Sequence, residues 1–154
     1  RHELTVPNIG AVFGWEADVL SLTTKGLVHE VEIKISRGDW LRELRAAQAV
    51  PKGGVTSNNH LKWLRHQYLR EYPPLHGHSG WLQLPSYFWI AAPTGVILDG
   101  ELPDYCGLLL YGTTGEVYVA TKAPRLHREP VTDKQWRAMA RGLSIRYWKR
   151  RGAA

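Results

Sequence analysis

The sequence contains very little cysteine, since Cys106 is the only thiol among its 154 residues. One thiol excludes an internal disulfide framework and is typical of a reducing compartment, so we expect an intracellular, cytoplasmic protein. No apolar run approaches the roughly 20 residues that a membrane-spanning helix needs, so no membrane partner is expected. The opening residues lack the pattern of a signal peptide, and a leader removed before Arg1 stays open.

Several familiar catalytic motifs are also missing. The chain has no glycine-rich phosphate loop ending in Gly-Lys-Ser/Thr, and no G-x-G-x-x-G sequence after a strand. No G-x-S-x-G elbow points to a serine hydrolase. Cys106 opens an apolar strand, which favours packing over nucleophilic use. His76 and His78 lack further ligands at zinc spacing, which favours a mobile loop near substrate over a zinc site.

The charge of the chain is positive. Twenty Lys and Arg residues oppose 14 Asp and Glu residues, which gives a formal net charge of +6. A basic surface suits a polyanionic partner such as nucleic acid. The same balance argues against a glycosidase built on paired carboxylates. The length fits one domain, and no repeat, low-complexity tract or linker divides the chain.

Residues 15–39 have the pattern of two strands joined by a tight turn. Alternation places the apolar residues of the second strand on one face and its charged residues on the other. The first face carries Leu27, His29, Val31, Ile33 and Ile35, and the second carries Glu30, Glu32 and Lys34. Glu16 and Asp18 share a face of the first strand, and residues 23–26 supply the turn, with Gly26 at positive φ.

Folding this hairpin crowds charged groups onto one patch. The patch comprises the carboxylates of Glu16, Asp18, Glu30 and Glu32 and the ammonium of Lys34. Neighbouring carboxylates repel each other and lose hydration on burial. A divalent cation with oxygen ligands, such as Mg²⁺, resolves this conflict. The alternative is a solvent-facing strand whose acids and lysine pair across the sheet, and alternation alone does not decide between the two.

Asp18, followed after thirteen residues by Glu32-Ile33-Lys34, resembles the core signature of the PD-(D/E)XK nuclease superfamily. The longer string E-x-D-V-L…H-E-V-E-I-K-I-S-R-x-D-W resembles small phage and DNA-repair-associated members, in which an S-R-x-D-aromatic run opens a helix. The resemblance implies a restriction-endonuclease-like α/β fold, a mixed sheet flanked by helices, in one domain over residues 1–154. It also implies a Mg²⁺- or Mn²⁺-dependent nuclease whose substrate is expected to be DNA more than RNA, while the choice between the two nucleic acids and between endonuclease and exonuclease stays open.

The resemblance assigns roles to the residues of the signature. Asp18 and Glu32 would bind the metal ion together with the main-chain carbonyl of Ile33. Lys34 would position the attacking water and help to deprotonate it. Glu16 and Glu30 are further candidate ligands.

The first fourteen residues depart from the superfamily pattern. Members often supply another acid from a helix before the hairpin, but here the segment is short and is broken by Pro7 and Gly10. Glu3 is its only acid, and whether Glu3, Glu16 or neither takes this role stays open. A homodimer is a form that the resemblance allows, because members that cut both strands often dimerise.

The rest of the chain is predicted as helices and strands around this hairpin. Periodicity predicts helices over residues 39–50 and 57–70, a strand covered on both faces over 87–92, a hairpin of 107–111 and 117–121, and a helix from 131. Ser36 or Asp39 caps the first helix and Thr132 the last. The buried stripe of the last helix is predicted as Trp136, Met139, Ala140, Leu143 and Tyr147, with Arg137 and Arg141 on its exposed side.

A set of basic residues is predicted to contact the phosphates of a nucleic acid. The set comprises Arg37, Lys52, Lys62, Arg65, His66, Arg70, Lys122 and Arg125. A solvated helix face is the alternative for residues 62–70. For Arg37 the alternative is a surface pair with Asp39.

Two other classes of function stay open. The chain could be a nucleic-acid-binding module on the same scaffold with a weak or silent site, which the missing upstream acid favours. It could also be a structural partner in a larger assembly, which its seven tryptophans favour. That last class predicts an exposed aromatic patch far from the acids.

Overall fold

The computed structural model describes residues 1–10, 12–13, 15–48 and 85–152. Their strands are β1 (His2–Ile9), β2 (Ala17–Thr23), β3 (Val28–Ile33), β4 (Tyr87–Pro93), β5 (Cys106–Tyr111) and β6 (Val117–Thr121). Their helices are α1 (Arg37–Gln48) and α2 (Asp133–Gly152). The protein therefore has a mixed α/β fold, as predicted. In this part of the chain no helix combines the length and the apolar character needed to cross a bilayer.

The strands form one sheet in which spatial order follows chain order, from β1 to β6. β2 is antiparallel to both of its neighbours, β1 and β3. β3, β4 and β5 are parallel, and β6 returns antiparallel to β5. Parallel neighbours need a long crossover between them, and α1 begins that crossover directly after β3. The hairpin of β5 and β6 is confirmed.

The predicted turn between β2 and β3 is also confirmed. Gly26 has φ 74°, a backbone conformation that residues other than glycine rarely adopt. The Thr23 N–H donates to the Leu27 carbonyl at 2.9 Å, and the Gly26 N–H donates to the Thr23 carbonyl at 2.9 Å. The hairpin register is thereby fixed, with Val19 opposite Val31 and Leu20 opposite Glu30.

The prediction that the first residues are broken and irregular is wrong, because residues 2–9 form β1. This strand pairs with β2 along its length, with Val6 opposite Leu20 and Ile9 opposite Ala17. Pro7 is accommodated because β1 is an edge strand, where the missing N–H can face solvent. The buried side chains of Val6 and Ile9 anchor the strand to the core.

Both helices begin at capping residues that the sequence indicates. The Ser36 hydroxyl accepts the Asp39 N–H at 3.2 Å, so Ser36 caps α1 and the helix starts at Arg37. For α2, the Thr132 hydroxyl accepts the Gln135 N–H at 3.3 Å, and the Gln135 side chain accepts the Thr132 N–H at 3.0 Å. This reciprocal pair is a capping box.

The predicted buried stripe of α2 is only partly right. Met139 is fully buried, but Trp136 and Tyr147 are 38% and 53% exposed, and Gln135 is buried instead. The helix is rotated because Gly142 lies against β1: a Cβ there would come within 2.9 Å of Ile9 Cδ1. A side chain at this position would hold the helix away from the sheet.

The core consists of two clusters. The first joins β1, the segment before β2, β2, the start of β3 and α2. It comprises Val6, Ile9, Phe13, Trp15, Ala17, Leu20, Leu22, Val28 and Met139. The second joins α1, β4 and β5 and comprises Trp40, Phe88, Ile90, Ala92, Val96, Tyr105 and Cys106. Cys106 is buried, in agreement with the predicted packing role.

The irregular segment between β6 and α2 is tied to the sheet at both ends. The Leu126 N–H donates to the Ser86 carbonyl at 2.8 Å, and the Val131 N–H donates to the Gly26 carbonyl at 2.8 Å. His127 between them is buried. These two hydrogen bonds fix the segment between β6 and α2 against the start of β4 and the turn between β2 and β3.

Gly107 offers a direct test of packing between β4 and β5. A Cβ at this position would lie 2.4 Å from Trp89 Cε3 and 2.6 Å from the backbone nitrogen of Ala123. We expect Gly107→Ala to lower the free energy of unfolding by about 1–3 kcal/mol, as overpacking does, measured by urea denaturation. Gly38→Ala is the control, because no atom lies within 4 Å of its added methyl group. Equal stability of the two variants would contradict the expectation.

Candidate functional site

The charged residues of β3 lie on the covered face of the sheet. Glu30, Glu32 and the following Lys34 are 0%, 9% and 4% exposed. Ile33 and Ile35, on the opposite face, are 39% and 73% exposed. The predicted alternation is therefore confirmed, but the charged side is the buried one, so the predicted solvent-facing alternative is wrong. Buried charges require partners, and the structure provides them.

Asp18 lies beside Glu32 on the neighbouring strand. The backbone pairing of β2 and β3 ends with Val19 opposite Val31. The same register continued by one residue places Asp18 opposite Glu32, and opposed residues of antiparallel strands project to the same face. The Asp18 side chain also turns towards β3, where its Oδ2 accepts the Ile33 N–H at 2.7 Å. This bond continues the ladder beyond the last backbone pair and fixes the carboxylate at the strand end.

Lys34 connects β3 to α1 through two buried carboxylates. Its Nζ lies 2.8 Å from Glu32 Oε1 and 3.1 Å from Glu43 Oε2. Burial alone would lower the pKa of Lys34, but the charges and hydrogen bonds of Glu32 and Glu43 outweigh it, and the pKa is raised above its usual value. Lys34 is therefore an ammonium group at neutral pH and a hydrogen-bond donor.

Glu43 was not among the residues predicted for the site. It follows Trp40 by one helical turn and is 4% exposed. The signal in the sequence was an acid beside the apolar stripe of Trp40 and Leu44, which α1 turns towards the sheet. A carboxylate in such a stripe indicates a buried cation opposite it.

The auxiliary acids lie in different environments. Glu30 is fully buried, and its Oε1 accepts the Trp15 indole N–H at 2.9 Å. Glu16 and Glu3 are exposed, Glu16 just before β2 and Glu3 on β1. Across residues 1–10, 12–13, 15–48 and 85–152, no group of three or more His, Cys, Asp or Glu has a geometry suited to a metal ion.

The opposite face of β3 carries an aromatic cluster around His29. Its ring stacks on Tyr87 with centroids 4.4 Å apart, and its Nδ1 accepts the Trp89 indole N–H at 3.0 Å. Burial, followed by repulsion from His2, lowers the pKa of His29 to about 4. His29 is therefore neutral at pH 7 and joins β3 to β4 by packing.

The structure pairs Arg37 with Glu101, whereas the predicted alternative was a pair with Asp39. Both Glu101 oxygens accept hydrogen bonds from the guanidinium, and Arg37 Nη1 also donates to the Val96 carbonyl at 3.0 Å. Asp39 pairs with Arg42 at 2.7 Å instead. Arg37 thus joins the start of α1 to the loop after β4, and its contact with phosphate stays a prediction.

The ion pair of Arg37 and Glu101 predicts that the stability of the protein depends on pH. The hydrogen bond from Arg37, helped by those from the Leu98 N–H and the Trp40 indole, lowers the pKa of Glu101 from 4.5 to about 2. The folded state binds this proton less readily than the unfolded state, so the contribution is present above about pH 4.5 and is lost as the pH falls towards 2. We expect the stability difference between the wild type and Glu101→Gln, measured by urea denaturation, to shrink over this range. A stability difference between the two proteins that does not change with pH would contradict a stabilising role of the Arg37–Glu101 pair.

The remaining predicted phosphate contacts divide into two groups. Lys122 and Arg125 are exposed on the segment after β6. Lys52, Lys62, Arg65, His66 and Arg70 lie outside the described residues, as do His76 and His78. For both groups, contact with nucleic acid stays a prediction.

Comparison with known proteins supports the fold. No protein-family model and no curated protein matches the sequence. Among solved structures, the chain is similar to the SPO1766 protein of unknown function from Silicibacter pomeroyi, with a TM-score of 0.55 and 16% sequence identity. The similarity covers 97% of this chain and 77% of the other. At this level of identity the likeness concerns the fold alone.

Proposed function

We propose that the protein is a metal-dependent nuclease with a restriction-endonuclease-like fold, and that it hydrolyses phosphodiester bonds in DNA. The observations that carry the proposal are the hydrogen bond from the Ile33 N–H to Asp18 and the ion pair of Lys34 with Glu32, both at the same end of the hairpin of β2 and β3. These residue types at this spacing form the PD-(D/E)XK signature. The net charge of +6 suits a polyanionic substrate.

The donor atoms are of the chemical type that a hard divalent cation prefers. Asp18, Glu32 and the Ile33 carbonyl offer oxygen ligands, which Mg²⁺ and Mn²⁺ prefer. Glu43 offers a further carboxylate from α1, and we propose it in place of the upstream acid that the superfamily often supplies. When bound, the metal ion would act as a Lewis acid on the phosphate oxygens and on the leaving 3′ oxygen.

Lys34 orients the nucleophile in this proposal. Two carboxylates fix its ammonium, and a water that accepts a hydrogen bond from it faces the phosphate. Because Lys34 is charged, it assists deprotonation by stabilising hydroxide electrostatically and does not itself accept the proton. The water oxygen attacks phosphorus as its proton passes to solvent, and the bond to the 3′ oxygen breaks. That oxygen leaves with the electron pair and takes up a proton from solvent.

A binding module without turnover is the second candidate. One observation favours it: the Lys34 ammonium already forms ion pairs with both Glu32 and Glu43. Such a module binds DNA in a salt-sensitive manner and leaves it intact.

Incubation of the purified protein with labelled DNA separates the two candidates. Single-stranded, duplex, nicked and branched DNA are each tested with Mg²⁺, with Mn²⁺ and with EDTA, and the products are resolved on denaturing gels. The nuclease proposal expects cleavage of at least one form with a divalent ion and none with EDTA. Salt-sensitive binding without any product over hours would reject the nuclease and support the binding module.

A further inference from the structure

The outward side of α2 carries cations and apolar side chains in one row. Met139 and Gln135 face the core, and Gly142 meets Ile9. Five exposed residues follow one another at helical spacing on the other side of the helix. These residues, the α2 ridge, are Lys134, Arg137, Arg141, Ile145 and Trp148.

The charge of the α2 ridge is not explained by the stability of the helix. Cations stabilise the last turn of a helix through the macrodipole, which accounts for Lys149, Arg150 and Arg151 but not for Lys134 and Arg137 near the start. No acid occurs in residues 134–152. Arg137 and Arg141 lie about 6 Å apart along the helix axis. Their like charges therefore repel each other unless an anion lies between them.

An aromatic pair closes the ridge at its far end. Trp148 is 63% exposed and Tyr147 is 53% exposed. Their rings form an edge contact with centroids 5.3 Å apart at 82°, and the Arg151 guanidinium lies 5.5 Å from the centroid of the Tyr147 ring. Tyr147 thus braces the Trp148 ring, which still presents most of its surface to solvent. A fixed exposed indole beside cations suits a base and its phosphate.

We infer that the α2 ridge binds a single-stranded stretch of nucleic acid, with Lys134, Arg137 and Arg141 on phosphates and Trp148 stacked on a base. Single strands are favoured over duplex because only an unpaired base offers its face to the indole. A membrane surface is disfavoured, because interfacial helices separate their apolar and charged faces. Here both occupy one row, and the apolar side of α2 is taken up by the core.

The middle of α2 packs near the end of the sheet that carries Asp18. Gly142, in the middle of α2, contacts Ile9, and Ile9 pairs with Ala17, the neighbour of Asp18. The inference does not depend on cleavage, since binding requires neither a metal ion nor Glu32.

The test measures binding of a fluorescent oligothymidylate by anisotropy in buffer with EDTA, over a series of salt concentrations. The variants are Trp148→Ala, Trp148→Phe and the double variant Arg137→Gln/Arg141→Gln. Two control variants, Lys25→Gln and Tyr118→Ala, change an exposed cation and an exposed ring outside α2. A blunt duplex of equal length and vesicles containing phosphatidylserine are measured in parallel.

We expect tighter binding of the oligothymidylate than of the duplex. Trp148→Ala should weaken binding about tenfold, and Trp148→Phe should retain most of the affinity. The double arginine variant should flatten the slope of log K against log salt concentration by about 1.4, since each phosphate contact of a single strand contributes about 0.7.

Ridge variants that bind like the wild type would overturn the inference, as would vesicle binding without oligothymidylate binding. Ridge-dependent binding without any cleavage would support the inference and reject the nuclease. Metal-dependent cleavage, together with ridge variants that bind the oligothymidylate like the wild type, would support the nuclease and reject the inference.

Discussion

Glu32→Gln is expected to lower kcat/KM for metal-dependent cleavage by at least about a hundredfold. Loss of one well-placed charge-stabilising group costs about 10²–10³ in rate in other enzymes, and here the lost charge is also that of a metal ligand. Glutamine keeps an oxygen that can accept the Lys34 hydrogen bond, so the fold should be retained. Asp18→Asn should behave alike, because it too keeps an acceptor for the Ile33 N–H.

The matched control is Glu3→Gln, which neutralises an exposed acid on β1. It should cleave like the wild type. If α1 supplies the additional acid, kcat/KM of Glu43→Gln should be about tenfold below the wild-type value, between the values of Glu3→Gln and Glu32→Gln. Cleavage by Glu32→Gln within about threefold of the wild-type rate would exclude the proposed site.

Lys34→Met is expected to lower the free energy of unfolding by about 3–5 kcal/mol, the usual cost of removing one partner from a buried ion pair. The substitution leaves Glu32 and Glu43 facing each other on the covered face without their shared cation. Urea denaturation followed by circular dichroism measures the loss.

The double variant Lys34→Met/Glu43→Leu should recover only part of this stability, because it removes one of the two carboxylates that lost their cation but leaves Glu32 unpaired by Lys34. With Glu43→Leu alone, the four proteins form a double-mutant cycle, whose coupling free energy we expect to exceed about 1 kcal/mol. Additive effects of the two substitutions would show that the pair does not act as a unit.

The hairpin of β2 and β3 could be predicted from the sequence because its determinants are local. Alternation fixed which side chains share a face, and Gly26 fixed the turn. The sequence could not show which face was buried. That depends on α1 and α2, whose docking places Trp40 and Met139 over the sheet.

Contacts between residues that are distant in sequence could not be predicted for the same reason. Glu101 stands 64 positions from Arg37, and no local pattern singles it out from the other acids. Glu43 was closer in sequence, but its contact with Lys34 exists only once α1 folds back over β3. β1 was missed because Pro7 argues against a strand unless the strand is known to be an edge.

The orientation of α2 shows a further limit of sequence periodicity. The stripe through Trp136 and Tyr147 and the one through Gln135 and Met139 differ by a modest rotation. The close approach of Gly142 to Ile9 selects the second. An absent side chain thus determines which residues of the helix reach solvent.

The segment that leads into α2 makes this helix an integral part of the domain. Because the amides of Leu126 and Val131 donate to the carbonyls of Ser86 and Gly26, they should exchange with deuterium as slowly as those of the hairpin, despite their irregular backbone. Proteases should likewise spare residues 122–132 in the native protein. Truncation before Asp133 would strip Met139 from the first core cluster, so the shortened chain should lose cooperative unfolding.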